Sequence, residues 1–347
     1  MDVNELLQQA LDAGASDIHI EPLDEAVRIR WRRDGVLCQA GTLHPGGLDK
    51  LVSRIKVMAG LDIANRRLPQ DGRIVWKEGE RRLDLRVSTL PTIRGEKVVI
   101  RILDGQRIPL ALSALGMDDQ ARSCLERLIR CRQGLIVICG PTGSGKTTTL
   151  YAAIHAIQDE SVSIATLEDP VEILMNGISQ SQVQPKGGMM FQDGLRALLR
   201  QDPDILVVGE IRDGETARIA VRAALTGHVI FSTLHAPSAV EAVIRLTDMG
   251  VAPYLAADAL AGVVSQRLVR RKIRADTYCG RFCLCEVVPA GPHLRQAIRR
   301  CDGVQELTEA ARTDGAVLMP DVIARTLAAG LTDEAEMRRV CEGGAAW

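Results

Sequence analysis

Aromatic residues are scarce in this chain: three each of Trp, Tyr and Phe among 347 residues, or 3%. That leaves little material for the stacking platforms that hold single-stranded nucleic acids. A surplus of either charge is also missing, since 43 Lys and Arg stand against 44 Asp and Glu for a formal charge of −1. Chains that live on polyanions usually carry a basic excess, so no nucleic-acid partner is expected. No stretch approaches the ~20 consecutive apolar residues of a membrane helix, which predicts no integral membrane segment. The opening residues, MDVNELLQQALDAG, are acidic and amphipathic, unlike a secretory signal. Nine cysteines, an odd number with several inside apolar runs, argue against a disulfide framework and for a reducing compartment. Cys279, Cys283 and Cys285 cluster without forming a C-x-x-C pair, and three thiols without a fourth ligand argue against structural zinc.

What is present suffices for an ordinary globular chain. Hydrophobic residues make up 46% and charged residues 25%, which excludes disorder over most of the length, and the length allows two domains. Residues 1–103 read as an α+β domain. A helical pattern (Leu6, Leu7, Ala10, Leu11) leads into short alternating stretches: DIHIEP, AVRIRWRRDGVL, GRIVWKEGERRLDLRVSTL and KVVIRIL. Asp34-Gly35, Asp71-Gly72 and Glu78-Gly79 read as the turns between strands, and 48–60 has helical spacing ending at a glycine. A linker over 104–116 carries Pro109. Residues 117–347 read as a second domain, with a core to about 268 and a helical C-terminal part from about 269. In that core, helical segments alternate with the continuous apolar runs LIVIC (135–139), VSIATL (162–167), DILVVG (204–209) and HVIFSTL (228–234). Strands buried on both faces and alternating with helices predict a mostly parallel sheet, hence an α/β fold.

The first apolar run leads into Gly140-Pro141-Thr142-Gly143-Ser144-Gly145-Lys146-Thr147, then Thr148. This fits G-x-x-x-x-G-K-[ST], with a buried strand before it and a helix after it. Glycines let backbone N–H groups wrap a phosphate, the helix start adds its positive dipole end, and Lys146 adds a charge for the β- and γ-oxygens. Thr147 can place its hydroxyl on a nucleotide-bound Mg²⁺. The remaining runs end in Glu168-Asp169-Pro170-Val171-Glu172, in Glu210-Ile211-Arg212-Asp213, and in His235. In open α/β sheets, ligands bind beyond the carboxyl ends of the strands. Glu210 is therefore read as the carboxylate that orients or deprotonates water. Glu168 is the second carboxylate, holding Mg²⁺ through water or polarising the nucleophile. His235 is a candidate γ-phosphate sensor, with a structural histidine as the alternative, while Asp169 and Glu172 are read as bracing the turn at Pro170. In the first domain, Arg86, Arg94 and Arg101 surround one loop. They are either solvated strand charges or cations supplied to a nucleotide on another subunit.

Taken together, these residues resemble the secretion-superfamily ATPases that drive type II secretion and type IV pilus assembly. The likeness runs nearly the length of the chain: ASDIHIEP (15–22), LPQDGR (68–73), RVSTLPTIRGEKVVIRIL (86–103), GPTGSGKTTTLYA (140–152), TLEDPVE (166–172), GLRALLRQDPDILVVGEIRD (194–213), TGHVIFSTLHA (226–236), QRLVRR (266–271) and GRFCLCE (280–286). The resemblance implies a PAS-like N-terminal domain joined to a RecA-like P-loop ATPase domain, assembled as a homohexamer. It further implies a cytoplasmic ring, peripheral to a bacterial inner membrane, working on a polytopic platform protein. By this likeness Glu210 is the catalytic base, Glu168 assists with metal and water, His235 senses the γ-phosphate, and N-domain arginines complete the site. ATP and Mg²⁺ are the implied ligands. Two departures from the pattern are that the chain begins directly at the ASDIHIEP unit and that KIRADTYC replaces the usual tetracysteine insertion. Pilus retraction, and a RecA-like nucleic-acid translocase, are the alternatives.

Overall fold

The computed structural model describes residues 2–78, 81–105, 108–184, 187–274 and 277–341. Two compact units divide the chain, Met1–Ile108 and Pro109–Trp347.

The N-terminal unit opens with α1 (Val3–Asp12), whose Val3, Leu6, Leu7, Ala10 and Leu11 form one buried stripe and whose start is closed by a capping box between Asp2 and Glu5. β1 (Asp17–Pro22), β2 (Val27–Arg33) and β3 (Val36–Leu43) follow, then α2 (Leu48–Ala59), β4 (Gln70–Glu78), β5 (Arg81–Thr92) and β6 (Gly95–Leu103). The strands form one antiparallel sheet in the order β3-β2-β1-β6-β5-β4. Asp34 and Gly35 both take positive φ, at 49° and 81°, as a two-residue hairpin turn between β2 and β3 demands. α2 ends where Gly60 turns left-handed, at φ 68°. One expected turn is absent: Asp71-Gly72 lies inside β4. A side chain at Gly72 would come within 2.6 Å of the Ala59 carbonyl oxygen, so this glycine permits a close approach rather than a turn. The Glu78-Gly79 signal falls at a residue outside those described.

The second unit contains α3 (Asp119–Leu128), β7 (Gly134–Cys139), α4 (Lys146–Ile157), β8 (Ile164–Glu168), β9 (Ser179–Gln182), α5 (Phe191–Leu198), β10 (Ile205–Val208), α6 (Gly214–Leu225) and β11 (Val229–Leu234). Then come α7 (Ala239–Asp248), α8 (Pro253–Ala259), β12 (Leu260–Arg274), β13 (Thr277–Pro289), α9 (Pro292–Arg299), α10 (Val304–Thr313), α11 (Met319–Ala328) and α12 (Glu334–Cys341). The sheet order is β13-β12-β7-β11-β10-β8-β9, parallel throughout except for the β12–β13 hairpin. Every residue of β7, β8, β10 and β11 is buried, with apolar clusters on both faces. The four continuous apolar runs are therefore the central strands, and the mixed α/β fold class holds. The expectation of a helical C-terminal part from about 269 is corrected, because β12 and β13 pair antiparallel there and the helices begin at Pro292. QRLVRR lies within β12, and the buried side of the hairpin carries Val269, Phe282 and Leu284 against Val322 and Met337. All nine cysteines are free, and among the described residues no group of three or more His, Cys, Asp or Glu could hold a metal ion. None of the described helices is long and apolar enough to cross a membrane.

Candidate functional site: a phosphate loop with acidic strand ends

The loop between β7 and α4 is shaped by glycines. Gly140, Gly143 and Gly145 take φ values of 148°, 77° and 87°, all strained for residues with a Cβ. Gly145 is also the N-cap of α4, and no side chain caps that helix, so its first N–H groups are left to a ligand. Lys146 folds back over the loop, donating from Nζ to the carbonyl oxygens of Gly140 at 3.0 Å and Pro141 at 3.1 Å. Burial lowers its pKa. Pro141, Thr142 and Thr147 are exposed at the mouth of the loop, Thr148 is half-buried, and Ser144 is buried beneath.

The strand order places β11 between β7 and β10, with β8 beyond. Their carboxyl ends therefore open on the same edge as the phosphate loop. Thr233 at the end of β11 donates to the Gly209 carbonyl at 2.7 Å and accepts through its own carbonyl from Ile211 N–H at 3.0 Å, holding the backbone on both sides of Glu210. The Glu210 carboxylate is about one-fifth exposed; it pairs with Arg212, and His235 Nε2 stands 3.9 Å from its Oε2. Arg212 also reaches Asp169 at 3.3 Å. Burial and the Lys146 charge hold the His235 pKa below its ordinary value, so the imidazole is neutral at pH 7.

Glu168, at the end of β8, is only 4% exposed. Its carboxylate accepts from the Tyr151 hydroxyl, from Thr166 Oγ1 at 2.7 Å and from Gln180 Nε2 at 3.2 Å. Burial and this carboxylate push the Tyr151 pKa upward. A side chain at Gly209 would meet the Leu167 carbonyl at 3.1 Å and the Glu168 Cα at 3.2 Å, so Gly209 lets the two acidic strand ends lie close together.

The N-terminal arginines occupy the other unit. Arg86 and Arg101 are register partners across β5 and β6, and Arg101 pairs with Asp17 at 2.9 Å. Arg94 lies in the turn between these strands and pairs with Asp24. Six residues separate Arg86 from the end of β5, or roughly 20 Å of strand. The expectation of three cations around a single loop is thus corrected to a pair and one distant arginine.

Three participants escaped sequence reasoning. Arg212 was visible beside Glu210 but had no assigned partner. Tyr151 sits on an apolar helix, and Gln266, within QRLVRR, reaches the loop from β12. None of these contacts has a local spacing signal.

The sequence matches the family described as Type II/IV secretion system protein over residues 1–339. It is 43% identical over 374 residues to the type II secretion system protein E of Pseudomonas aeruginosa, covering 97% of this chain and 74% of that one. With the type II secretion system ATPase E of Vibrio cholerae the identity is 52% over 268 residues, or 77% of this chain and 53% of that protein. The fold is similar to the pilus retraction motor PilT with bound ADP, at a TM-score of 0.64 and 27% identity over 98% of this chain and 99% of that one.

Proposed function

The chain belongs to the type II/IV secretion system protein family, and from that membership we propose that it is a motor ATPase that hydrolyses ATP to power type II secretion or assembly of a type IV pilus-like fibre. The observation that carries the reading is the single edge of the sheet where an uncapped helix start, Lys146 and the Glu210 carboxylate meet. Position 205 on β10 pairs with both β8 and β11, so this edge follows from the sheet register itself. Identity to a type II secretion protein at 43%, against 27% to a retraction motor, favours the assembly and secretion direction.

On this reading the loop N–H groups and the start of α4 grip the triphosphate. Lys146 exchanges its bonds to the Gly140 and Pro141 carbonyls for phosphate oxygens. The donor set suits a magnesium ion arriving with the nucleotide: Thr147 is exposed at the first turn of α4, and Glu168 faces the same edge behind it. Magnesium, when bound, screens charge between the β- and γ-phosphates. Glu210 orients the attacking water and takes its proton, with Arg212 and neutral His235 positioning the carboxylate. Thr166 and Gln180 both bond Oε1 of Glu168 and Tyr151 alone bonds Oε2, so Oε2 keeps a lone pair for water or metal. The N-terminal unit we read as PAS-like: a sheet with its first strand beside its last, at the centre. The second unit we read as RecA-like, since a strand separates the phosphate-loop strand from the one bearing the base. We further read the active form as a homohexamer, peripheral to a bacterial inner membrane on its cytoplasmic side. There it acts on a polytopic platform protein, with Arg86, Arg94 or Arg101 completing a neighbouring subunit's site.

The test is phosphate release by the full chain beside Lys146→Ala and Glu210→Gln. Glu210→Gln is expected to bind ATP normally and lose about 10²-fold or more in turnover, the scale of a lost general base, while Lys146→Ala loses binding. Unchanged turnover in Glu210→Gln would remove the base assignment.

A further inference from the structure

β12 lies beside β7, and its Ser265 is the register partner of Cys139. The next residue, Gln266, is therefore level with Gly140, where the strand gives way to the phosphate loop. Gln266 is 1% exposed, and its Nε2 donates to the Ser144 carbonyl at 2.6 Å. The amide cannot be reversed, because its oxygen would then face another acceptor. A Cβ on Gly140 would lie 2.6 Å from the Gln266 carbonyl oxygen, and a Cβ on Gly145 would lie 3.1 Å from Nε2. Gln266 thus lies against both ends of the loop and bonds the Ser144–Gly145 peptide.

Peptide planarity turns that bond into an orienting device. In a trans peptide the C=O of one residue and the N–H of the next point in opposite directions. Fixing the Ser144 carbonyl toward β12 therefore aims the Gly145 N–H away from β12. Gln266 Oε1, meanwhile, is buried and has no hydrogen-bond partner. A buried, half-satisfied amide costs stability that a Met or Leu would not, so packing alone does not account for it. The neighbouring side chain holds the opposite bank of the site. Arg267 donates from Nη2 to the Pro237 carbonyl at 2.6 Å and from Nη1 to the Gln266 carbonyl at 2.9 Å. Pro237 stands two residues after His235.

We propose that Gln266 is a positioning residue for the phosphate loop and Arg267 one for the His235 loop, so that adjacent residues of β12 separately set nucleotide grip and turnover. This rests on the ATPase reading above. The experiment measures MgATP affinity and steady-state turnover for the full chain and for Gln266→Met, Gln266→Glu, Arg267→Met and Lys146→Ala, with folding checked by circular dichroism. Gln266→Met keeps the volume and removes the donor. Its affinity should fall about tenfold, the scale of one lost hydrogen bond, with turnover at saturation within about threefold of wild type. Gln266→Glu should weaken binding further, since a carboxylate neither donates nor tolerates phosphate, and it carries the test if Gln266→Met fails to fold. Arg267→Met should show the reverse split, with turnover down about tenfold and affinity near wild type. A folded Gln266→Met that binds MgATP like wild type would overturn the proposal, as would both positions losing affinity and turnover in equal proportion. Were Lys146→Ala also to bind like wild type, the phosphate site itself would be misplaced. Loss in Lys146→Ala alone leaves that site standing and removes only the role of β12.

Discussion

A carboxylate taken out of water must be satisfied by the protein, and Glu168 is met by three donors from three different elements: Tyr151 on α4, Thr166 on its own strand and Gln180 on β9. The Tyr151 hydroxyl is shared, for it also accepts the Glu172 N–H at 3.3 Å. Tyr151→Phe removes one oxygen and fills the same space, so its effect isolates that hydrogen bond. The expected loss is about 1–3 kcal/mol, the cost of leaving a buried polar group a partner short, read as a lowered midpoint in chemical denaturation. An unchanged midpoint would mean that Thr166 and Gln180 satisfy the carboxylate unaided. The placement of Glu168, Glu210 and His235 at one edge of the sheet was legible because each ends or follows a continuous apolar run, and such runs end where ligands bind in parallel sheets. Tyr151 was not. Four residues beyond Thr147, on a helix whose neighbours are Leu150, Ala152, Ala153 and Ile154, it reads as core, and it is buried as core. Only the packing of α4 beside β8 brings its hydroxyl to Glu168.

At the scale of elements, the C-terminal helix α12 is fastened to β12 by one buried acid. Glu336 is 1% exposed and accepts from Arg270 Nη2 at 2.7 Å, from the Arg270 N–H at 2.9 Å and from Arg339 Nη2 at 2.6 Å. Burial opposes ionisation, but the Arg339 and Arg270 guanidiniums and the Arg270 N–H outweigh it and hold the carboxyl below its ordinary 4.5. With the folded pKa lowered, the unfolded chain binds more protons in acid. The stabilisation is complete above about pH 4.5 and is lost as pH falls through the lowered value. Glu336→Ala strands two arginines that keep some solvent access, so about 2 kcal/mol is expected, below the figure for fully buried pairs. Thermal melts of wild type and Glu336→Ala should differ at pH 7 and converge in acid; a gap independent of pH would assign the loss to packing. The hairpin that receives α12 was misread as helix. Arg267, Arg270 and Arg271 interrupt its apolar residues at spacings of three and four, which is the helical period and not the period of two that marks a strand. Gly72 failed in the other direction: Asp-Gly is a strong turn signal, but the cause here is the proximity of the α2 terminus, which no neighbouring residue announces.

For the whole molecule, the proposed chemistry draws on both units. The second unit holds the phosphate loop and the proposed base and sensor, Glu210 and His235. The mobile cation that phosphoryl transfer commonly draws from outside has its candidates on the N-terminal sheet. There Arg86 and Arg101 sit side by side, and Arg94 stands roughly 20 Å along the hairpin. The two groups are too far apart to address one γ-phosphate together, so at most one of them can serve. Mixed rings can tell which. Lys146→Ala subunits keep every arginine and lack a working loop, whereas Arg94→Ala, or Arg86→Ala with Arg101→Ala, keeps the loop. If cations are supplied between subunits, mixing a loop-dead chain with the correct arginine-dead chain rebuilds some complete sites. Activity should then rise above the sum of the two preparations, reaching up to about a quarter of wild type for random pairing. The other arginine variant, bearing only a structural change, should be active alone and gain nothing from the mixture. Sums that stay additive for both variants, with ring assembly verified, would place the required cation within the same chain, and Arg212, already seated on Glu210, would be its most economical source.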